Sequence, residues 1–377
     1  MVHVMQSPPG PETVIDGRWY VYFGGTSYLG LAGHPEVIQA ACEAARRYGL
    51  HTATSRGGFG NNPATLQVER LAAELFGQQA AFYFVSGYVS NHILIQALAG
   101  RFDVVLADEA AHYSLAEAAR LAGRPVAEFA HADPGSLRQL LRQRLRPNER
   151  PLLLTDGVFA ATGDIAPLDA YVDILRAYEG ASLLVDDAHG FGTLGARGRG
   201  TLEHLGLWSP GINSIVPPAG VGLFVGGTLS KAIGGFGGIL PGPEEFIRHA
   251  RSSSHYFDGA SAPPSPVAGG TAKALEIVIR EPQLRERLRE NVRHVRLGLR
   301  NLGLPAADSP SPVIPLVIGD AENMRRIHRA LWEQGILVPY FPRYSGTGPH
   351  GLLRIAVCAA HTGAMLDRLL SGLARAL

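Results

Sequence analysis

Lysine is rare in this chain, and one of its two lysines lies where an amine could do chemistry. Lys231 falls in the run Gly226-Gly227-Thr228-Leu229-Ser230-Lys231-Ala232-Ile233-Gly234-Gly235, whereas Lys273 belongs to a helical pattern and is expected to be a solvated helix residue. Arginine carries most of the positive charge elsewhere, so a lysine among Gly, Thr and Ser indicates a task that guanidinium cannot perform. An amine can lose its proton and form a Schiff base.

A second cluster, Asp186-Asp187-Ala188-His189, directly follows the apolar run Leu183-Leu184-Val185. Two carboxylates and an imidazole at the buried end of a strand lose hydration energy unless hydrogen bonds or a cation compensate them. The pattern therefore predicts a positively charged partner for Asp186.

Anion binding is predicted at Ser86-Gly87-Tyr88, where a strand turns into a helix. Free backbone N–H groups and the helix dipole both favour a phosphate at such a position. Ser-Gly turns are common, so this motif alone is explained equally well as an ordinary turn. His112 lies in a similar connection, where a histidine is more often a loop or capping residue.

Together these residues meet the needs of one cofactor, pyridoxal phosphate. It requires an amine for its aldehyde, an anion cradle for its phosphate, and a carboxylate that raises the pKa of its ring nitrogen. Lys231 supplies the amine, Asp186 the carboxylate, and Thr228 with the Ser86-Gly87-Tyr88 turn the cradle. The order of the motifs and their position at strand ends favour this cofactor over coincidence.

The elements expected to position these groups alternate as in an α/β protein. Short apolar runs predict strands at residues 81–85, 104–107, 151–155, 182–185, 222–225 and 238–240. Several of them end at Ser86, Asp108, Asp156, Asp186 or Gly226. In open parallel sheets ligands collect beyond the carboxyl ends of strands, so we expect these strand ends to line one crevice.

A smaller α+β region is expected at the C-terminal end. A helical pattern with arginine on its polar face covers residues 285–302, and the proline-containing segment 305–315 interrupts the chain. A strand near 313–318, a helix at 321–334 and a strand near 352–357 follow. Pro217-Pro218 and Pro263-Pro264 are predicted loops.

Bulk composition excludes several classes of protein. The chain has 377 residues, a net charge of +1 and 18% charged residues, which does not favour a nucleic-acid or acidic-membrane partner. Cys42 and Cys358 fit no CxxC or zinc spacing, so we expect a reducing compartment and no metal. The N-terminal residues lack a secretory pattern, and no apolar run approaches the roughly 20 residues of a membrane span. We expect a cytoplasmic enzyme.

The chain resembles the α-oxoamine synthases, a family of pyridoxal-phosphate enzymes, over nearly its whole length. The motifs occur in the family's order: Tyr28-Leu29-Gly30-Leu31, Ser86-Gly87-Tyr88, Thr155-Asp156-Gly157-Val158-Phe159, Val185-Asp186-Asp187-Ala188-His189-Gly190, Gly227-Thr228-Leu229-Ser230-Lys231-Ala232 and Leu353-Arg354-Ile355. The resemblance implies the fold-type-I architecture, a mostly parallel central sheet with helices on both faces and a smaller C-terminal α+β domain. It also implies a homodimer with a shared active site.

On this basis we divide the chain into three parts. Residues 1–46 form an N-terminal segment that contributes to the small domain and the dimer interface. Residues 47–284 form the large cofactor-binding domain, and residues 285–377 form the small domain.

The resemblance also implies roles for the residues around the cofactor ring. Lys231 would form the Schiff base and later move protons at the substrate Cα. Asp186 would pair with the pyridinium nitrogen, His189 would hydrogen-bond the ring hydroxyl oxygen, and His112 would stack on the ring face.

Two further sets of roles follow from the resemblance. Thr228 and the Ser86-Gly87-Tyr88 turn would hold the phosphate, and Ser261 is what remains of a Ser/Thr cluster that reaches the neighbouring subunit's phosphate. Arg354 would grip the amino-acid carboxylate through its bidentate guanidinium, although an arginine could also be a surface ion-pair residue. His361 matches a family position too, and a packed or capping role explains it nearly as well.

The chain departs from the family where substrates bind. Thr26 replaces an asparagine, Thr65 replaces a histidine, Asp156 replaces a glutamate, and Ala160 replaces a serine expected near the cofactor ring. Drift could explain any one of these changes. Because they concern one pocket in the family, we expect a specialised substrate.

Three functions remain open at this point. The favoured one is a decarboxylative condensation of an amino acid with an acyl thioester, carried by CoA or a carrier protein, to give an α-amino ketone. The alternative keeps the cofactor in an aminotransferase, or in a non-decarboxylative carbon–carbon bond-forming or substitution enzyme with a substrate such as S-adenosylmethionine. A non-catalytic scaffold is disfavoured because Lys231, Asp186, His189 and Arg354 are all present.

Overall fold

Alternating buried side chains build the core on both faces of a central sheet. In the strand Val104–Asp108, Val104 and Leu106 pack into one apolar cluster, and Val105 and Ala107 into the other. A strand buried on both faces needs an almost continuous apolar run, which is typical of parallel sheets covered by helices. These facts come from a computed structural model, which describes residues 2–214 and 220–377, so the predicted loop at Pro217-Pro218 lies outside the described residues.

The strands of the described chain are β1 Glu12–Ile15, β2 Arg18–Tyr22, β3 Ala80–Phe84, β4 Val104–Asp108, β5 Val126–Phe129, β6 Pro151–Asp156, β7 Ser182–Asp186, β8 Gly222–Thr228, β9 Gly238–Gly242, β10 Val313–Leu316, β11 Ile336–Leu337, β12 Tyr340–Phe341 and β13 Leu352–Ala356. The helices are α1 Pro35–Tyr48, α2 Pro63–Phe76, α3 Ser90–Ala97, α4 Tyr113–Leu121, α5 Pro134–Arg144, α6 Leu168–Leu175, α7 Thr201–His204, α8 Glu244–Ser253, α9 His255–Asp258, α10 Ser265–Arg280, α11 Gln283–Asn301, α12 Ala321–Glu333 and α13 Gly363–Ala376. A 3₁₀ turn at Gly87–Val89 precedes α3.

The central sheet has seven strands in the order β3-β9-β8-β7-β6-β4-β5. All neighbours are parallel except β9, which is antiparallel to both β3 and β8. The predicted α/β class with a mostly parallel sheet and helices on both faces is therefore confirmed. The carboxyl ends of β3, β8, β7, β6 and β4 all point to the same edge.

The described residues also form two three-stranded sheets that are separate from the central sheet. β13 lies between β10 and β12 in one of them, and this sheet belongs to the smaller C-terminal region expected from the sequence. In the other, β2 pairs with β1 and, in parallel, with the C-terminal strand β11. The sequence patterns did not reveal this N-terminal hairpin. The boundaries placed at residues 46 and 284 stay predictions.

No helix in the described ranges combines the length and apolarity needed to cross a membrane.

Candidate active site

The strand register brings the predicted chemical residues to one edge of the sheet. Asp156, the last residue of β6, lies opposite Asp186, the last residue of β7, and Asp186 lies opposite Gly226 of β8. A cavity of about 180 Å³ opens beyond this edge. Its lining consists of Thr26, His112, Ala160, Ala161, His189, Lys231, Phe341, Tyr344 and Arg354.

Lys231 follows the end of β8 and presents its amine to this cavity. Burial lowers the pKa of the amine to about 8, and the nearby Arg354 guanidinium acts in the same direction. Asp186 and Asp156 oppose the shift, since both carboxylates stabilise the ammonium form. The amine is therefore far easier to deprotonate near neutral pH than an ordinary lysine.

Asp186 is buried and held by donors from three parts of the chain. Nδ2 of Asn91, in α3, donates to Oδ2 of Asp186 over 2.7 Å, and the hydroxyl of Ser114 lies 3.4 Å from the same oxygen. The backbone N–H of Ala188 donates to Oδ1 over 3.1 Å. These bonds fix the orientation of a carboxylate that lies close enough to Lys231 and His112 to influence the pKa of both.

The second aspartate of the Asp186-Asp187 pair has a structural role. Thr201 donates its backbone N–H to Oδ2 of Asp187 over 2.6 Å and its hydroxyl to Oδ1 over 2.7 Å. Burial raises the pKa of Asp187 to about 7 despite these bonds. Asp187 thus fastens the loop after β7 to the start of α7, beneath the cavity.

Asp156 adds a second buried carboxyl group beside Asp186. It accepts a hydrogen bond of 2.8 Å from the backbone N–H of His112. Burial, and then repulsion from Asp186, raise the pKa of Asp156 well above its ordinary value, while the His112 bond and Lys231 partly offset this. The protonation states of Asp156, Asp186 and Lys231 therefore depend on one another.

A hydrogen-bonded chain links Arg354 to His189 through Tyr28. Nη2 of Arg354 donates to the Tyr28 hydroxyl over 3.0 Å, and that hydroxyl lies 2.8 Å from Nδ1 of His189. Guanidinium can only donate, so the hydroxyl proton of Tyr28 is left for Nδ1 of His189. Burial lowers the pKa of His189 well below its ordinary value. His189 is therefore neutral and carries its proton on Nε2, which makes Nε2 a donor.

His112 caps α4 and forms one wall of the cavity. Its Nδ1 accepts from the backbone N–H of Ser114 over 3.3 Å and lies 2.8 Å from the Ser114 hydroxyl. Burial lowers the pKa of His112, with Lys231 acting in the same direction and Asp186 against it. The ring centroid lies 6.0 Å from that of Tyr88 and 6.3 Å from that of Tyr344. The capping role and the cavity role thus occur in the same residue.

The Ser86-Gly87-Tyr88 turn packs directly against Thr228. A Cβ on Gly87 would lie 2.5 Å from Cβ of Thr228, so only glycine permits this approach. The Thr228 hydroxyl donates within its own loop, to Ser230 or to the carbonyl of Gly237, each over 2.9 Å. The turn and this loop together form a narrow polar cradle near Lys231.

Of the five predicted substrate residues, three line the cavity, and two, Asp156 and Thr65, do not. Thr26, Ala160 and Arg354 line it, whereas Thr65 is buried in the first turn of α2, where Asn62 Oδ1 accepts from its backbone N–H over 2.9 Å. Ser261 is exposed and pairs with Ser55 in an isolated bridge, outside the cavity lining. Within one protomer Thr65 and Ser261 do not join the site.

Several residues of the site carried no sequence signal of their own. Tyr28 belongs to the Tyr28-Leu29-Gly30-Leu31 motif, but nothing in that motif predicts a hydrogen bond to His189. Phe341 ends the two-residue strand β12 and Tyr344 follows it, in a stretch that shows no periodicity. His361 is a packed residue rather than a site residue. Its Nδ1 accepts from the Cys358 N–H over 3.0 Å, and its Nε2 lies 3.1 Å from the Tyr22 carbonyl oxygen. Burial lowers the pKa of His361 to about 4.

The donor set fits pyridoxal phosphate. It combines an amine of lowered pKa, a buried carboxylate held by neutral donors, a neutral imidazole with an outward N–H, and a cradle that a Cβ would fill. Nε of Arg354 is buried and has no hydrogen-bond partner among the described residues. Because Arg354 also lines the cavity, this donor is available to an acceptor bound there.

Comparison with known proteins extends this result. A family model described as aminotransferase class I and II matches residues 20–373. The chain is 38% identical to 8-amino-7-oxononanoate synthase of Pseudomonas putida KT2440, covering 98% of this chain and 92% of that protein. It is 38% identical to the enzyme of the same name from Methylococcus capsulatus, covering 99% and 93%.

A solved structure shows the same fold with cofactor bound. It is a serine palmitoyltransferase variant from S. paucimobilis with bound PLP–myriocin aldimine, which is 27% identical to this chain. The TM-score is 0.89, and the match covers 100% of this chain and 92% of that one.

Proposed function

Because the chain belongs to the class I and II aminotransferases, and within them to the α-oxoamine synthases, we propose that it condenses an amino acid with an acyl thioester. It is a pyridoxal-phosphate-dependent transferase, and its product is an α-amino ketone. The observation that carries this proposal is that Lys231 and the buried guanidinium of Arg354 line the same cavity of about 180 Å³. An amine that handles a Cα proton and a cation that holds a carboxylate are thus within reach of one small substrate.

The bond changes of the reaction balance as follows. The amino acid loses its Cα–carboxyl bond as carbon dioxide, and a Cα–acyl carbon bond forms. The thioester C–S bond breaks and releases a thiol. One proton is taken up overall, because the carboxylate leaves as neutral carbon dioxide while the amine of the product stays protonated.

Pyridoxal phosphate, when bound, supplies an aldehyde that joins amines and a ring that withdraws electrons from Cα. We assign the phosphate to the Ser86-Gly87-Tyr88 turn and Thr228, which pack closely against each other. Backbone N–H groups at the start of a helix favour an anion there. Asp186 would hold the ring nitrogen, and Nε2 of His189 would donate to the ring oxygen. His112 would cover one ring face.

Lys231 holds the cofactor and then carries the proton of the substrate Cα. Its pKa of about 8 lets the amine accept this proton near neutral pH and return it later. Asp156 assists by partly offsetting the charge of the ammonium form. Its buried carboxyl group stays at the end of β6 because the backbone N–H of His112 holds it.

Arg354 binds the substrate carboxylate. Its Nη2 is engaged by Tyr28, and its buried Nε has no partner among the described residues, so an acceptor is missing on that side. A carboxylate fills this gap with a charge-assisted bond. Thr26 and Ala160 lie on the wall that the rest of the substrate faces.

The functional unit in this proposal is a homodimer with a shared active site. Phe59 is 94% exposed, and Leu66 and Phe236 are each 50% exposed, which is costly for large apolar side chains in water. Ser261, which is exposed and lies outside the cavity of its own protomer, would approach the site of the neighbour. Light scattering of the holoenzyme tests the dimer: a monomer at micromolar concentration contradicts it.

The reaction is tested by incubating the holoenzyme with a panel of amino acids, each with and without an acyl-CoA or an acyl carrier thioester. We expect carbon dioxide and free thiol in equal amounts, and only when both substrates are present. Amino-group transfer to a keto acid, or product formed from S-adenosylmethionine without any thioester, would instead support the alternative chemistry.

A further inference from the structure

A second cavity of about 220 Å³ lies directly beside the candidate active site. Thr26 lines both cavities, and Ser230, which lines the second, precedes Lys231 in the chain. The second cavity therefore adjoins the first on the side of Thr26 and of the residue that precedes Lys231. Neither the phosphate cradle nor the Arg354 site uses this space.

The walls of this second cavity are mostly apolar. Pro9, Ala32, Ala356 and Val357 contribute aliphatic surface, and Cys358 contributes a buried thiol whose pKa burial raises to about 11. Gly25 leaves room for the ring of Tyr22, because a Cβ on Gly25 would lie 2.9 Å from that ring. Apolar walls next to a reaction centre favour a hydrocarbon ligand.

No acidic or basic side chain is among the described residues that line it. Its titratable groups are the phenols of Tyr22 and Tyr28 and the Cys358 thiol. All three are neutral at physiological pH because burial raises the pKa of each. A charged ligand end would lose its hydration in this cavity without gaining an ionic partner from the described lining side chains of this protomer.

We propose that this second cavity receives the acyl chain of the thioester, and that this chain is short to medium in length and uncharged at its far end. The proposal rests on the proposed function, since it names the acyl class used at the same site. The volume of about 220 Å³ holds roughly seven water-sized groups at about 30 Å³ each. A chain with a terminal carboxylate is disfavoured, because no cationic side chain among the described residues of the same protomer lines the cavity.

The direct test compares acyl-CoA substrates of four to twelve carbons, together with heptanoyl-CoA and the mono-CoA thioester of the seven-carbon dicarboxylic acid. We expect kcat/KM to rise about fourfold per added methylene until the cavity is full and then to fall. The dicarboxylic thioester should react at least about a hundredfold more slowly than heptanoyl-CoA. Equal or faster reaction of the dicarboxylic thioester overturns the proposal.

Failure of the underlying reaction looks different from failure of this inference. If no thioester of either kind releases carbon dioxide with any amino acid, the proposed function is wrong. If carbon dioxide is released but the rate is independent of chain length, the proposed function stands and the acyl chain does not enter this cavity.

A cavity-filling variant supplies an independent readout. Ala32→Leu adds bulk to the cavity wall, and Ala45→Leu makes the same change at a half-buried position in α1. Ala32→Leu should move the preferred acyl chain to fewer carbons while the KM for the amino acid stays unchanged. Ala45→Leu should leave the preference where it is. An unaltered length preference in a folded, cofactor-loaded Ala32→Leu protein contradicts the proposal.

Discussion

Arg354 and His189 are joined by one hydroxyl group: that of Tyr28 lies 3.0 Å from Nη2 of Arg354 and 2.8 Å from Nδ1 of His189. The group that holds the substrate carboxylate and the group that donates to the cofactor ring are thus oriented together. Tyr28 is a positioning residue, because it acts on both through hydrogen bonds.

Tyr28→Phe should remove the hydrogen bonds that orient Arg354 and His189 while the cofactor and substrate can still bind. A hydrogen bond to a charged group contributes about 1.5–3 kcal/mol, so we expect the KM for the amino acid to rise roughly 10- to 100-fold. The pH titration of the cofactor's absorbance should shift as well, because the tautomer of His189 is no longer fixed. A variant with lowered thermal stability but unchanged KM and unchanged titration would indicate a merely structural role.

Lys231→Ala should retain the fold and lose turnover by about 10⁴-fold or more, since the attachment point and the proton carrier disappear together. Borohydride treatment of the wild type should attach the cofactor covalently to the peptide containing residue 231, which mass spectrometry detects. Lys273→Ala is the matched control, because Lys273 pairs with Glu276 on α10 and should leave the rate unchanged.

The lowered pKa of Lys231 predicts the pH dependence of cofactor uptake by the apoprotein. Only the neutral amine reacts with an aldehyde, so the rate should rise with pH through about 8 and level off above it. Asp156 stabilises the ammonium form, and Asp156→Asn should therefore move the midpoint to lower pH. A midpoint near 10.5, the ordinary lysine value, would show that the amine is not buried as described.

Substitutions of Asp186 and of Asp187 should have different effects, one on cofactor binding and the other on stability. Asp187→Ala leaves the N–H and hydroxyl of Thr201 without acceptors, and we expect a loss of about 1–3 kcal/mol in the free energy of unfolding. Asp186→Ala should instead weaken cofactor binding. Denaturant unfolding of both apoproteins, with cofactor titration of the folded forms, separates these effects; the same defect in both variants contradicts the assignment.

The pKa of Asp187 adds a pH dependence of stability. Its folded pKa of about 7 exceeds its ordinary value of 3.8, so the unfolded chain binds fewer protons between these values. The contribution of this group to stability is therefore present below pH 4 and is lost as the pH rises to about 7. The difference in unfolding free energy between wild type and Asp187→Asn should shrink over this range.

Gly87→Ala should weaken cofactor binding through sterics alone. The added Cβ would lie 2.5 Å from Cβ of Thr228, which cannot move without displacing the strand end, and the phosphate cradle must open. We expect the Kd for pyridoxal phosphate to rise by an order of magnitude or more. Gly363→Ala is a suitable control, because nothing lies within 4 Å of its added Cβ.

The amino-acid sequence by itself determined the class of the fold and the centre of the site. Apolar runs ending in Asp156, Asp186 and the Thr228 loop identify strands, and parallel strands place their carboxyl ends at one edge. The observed ends of β6, β7 and β8 differ from the expected ones by only a few residues. These are local patterns, so they can be identified from the sequence without knowledge of the tertiary contacts.

Only the tertiary structure decided which distant residues meet. Tyr28 and Arg354 come from opposite ends of the chain, and their contact depends on how the segment after β2 packs along β13 and the residues that follow it. The same holds for Thr65, which is held within α2. It also holds for Phe341, at the end of β12, and for Tyr344, which follows it, since both line the cavity. Periodicity and spacing describe neighbours along the chain, whereas cavity walls are set by side-chain packing between elements, and no local pattern encodes that packing.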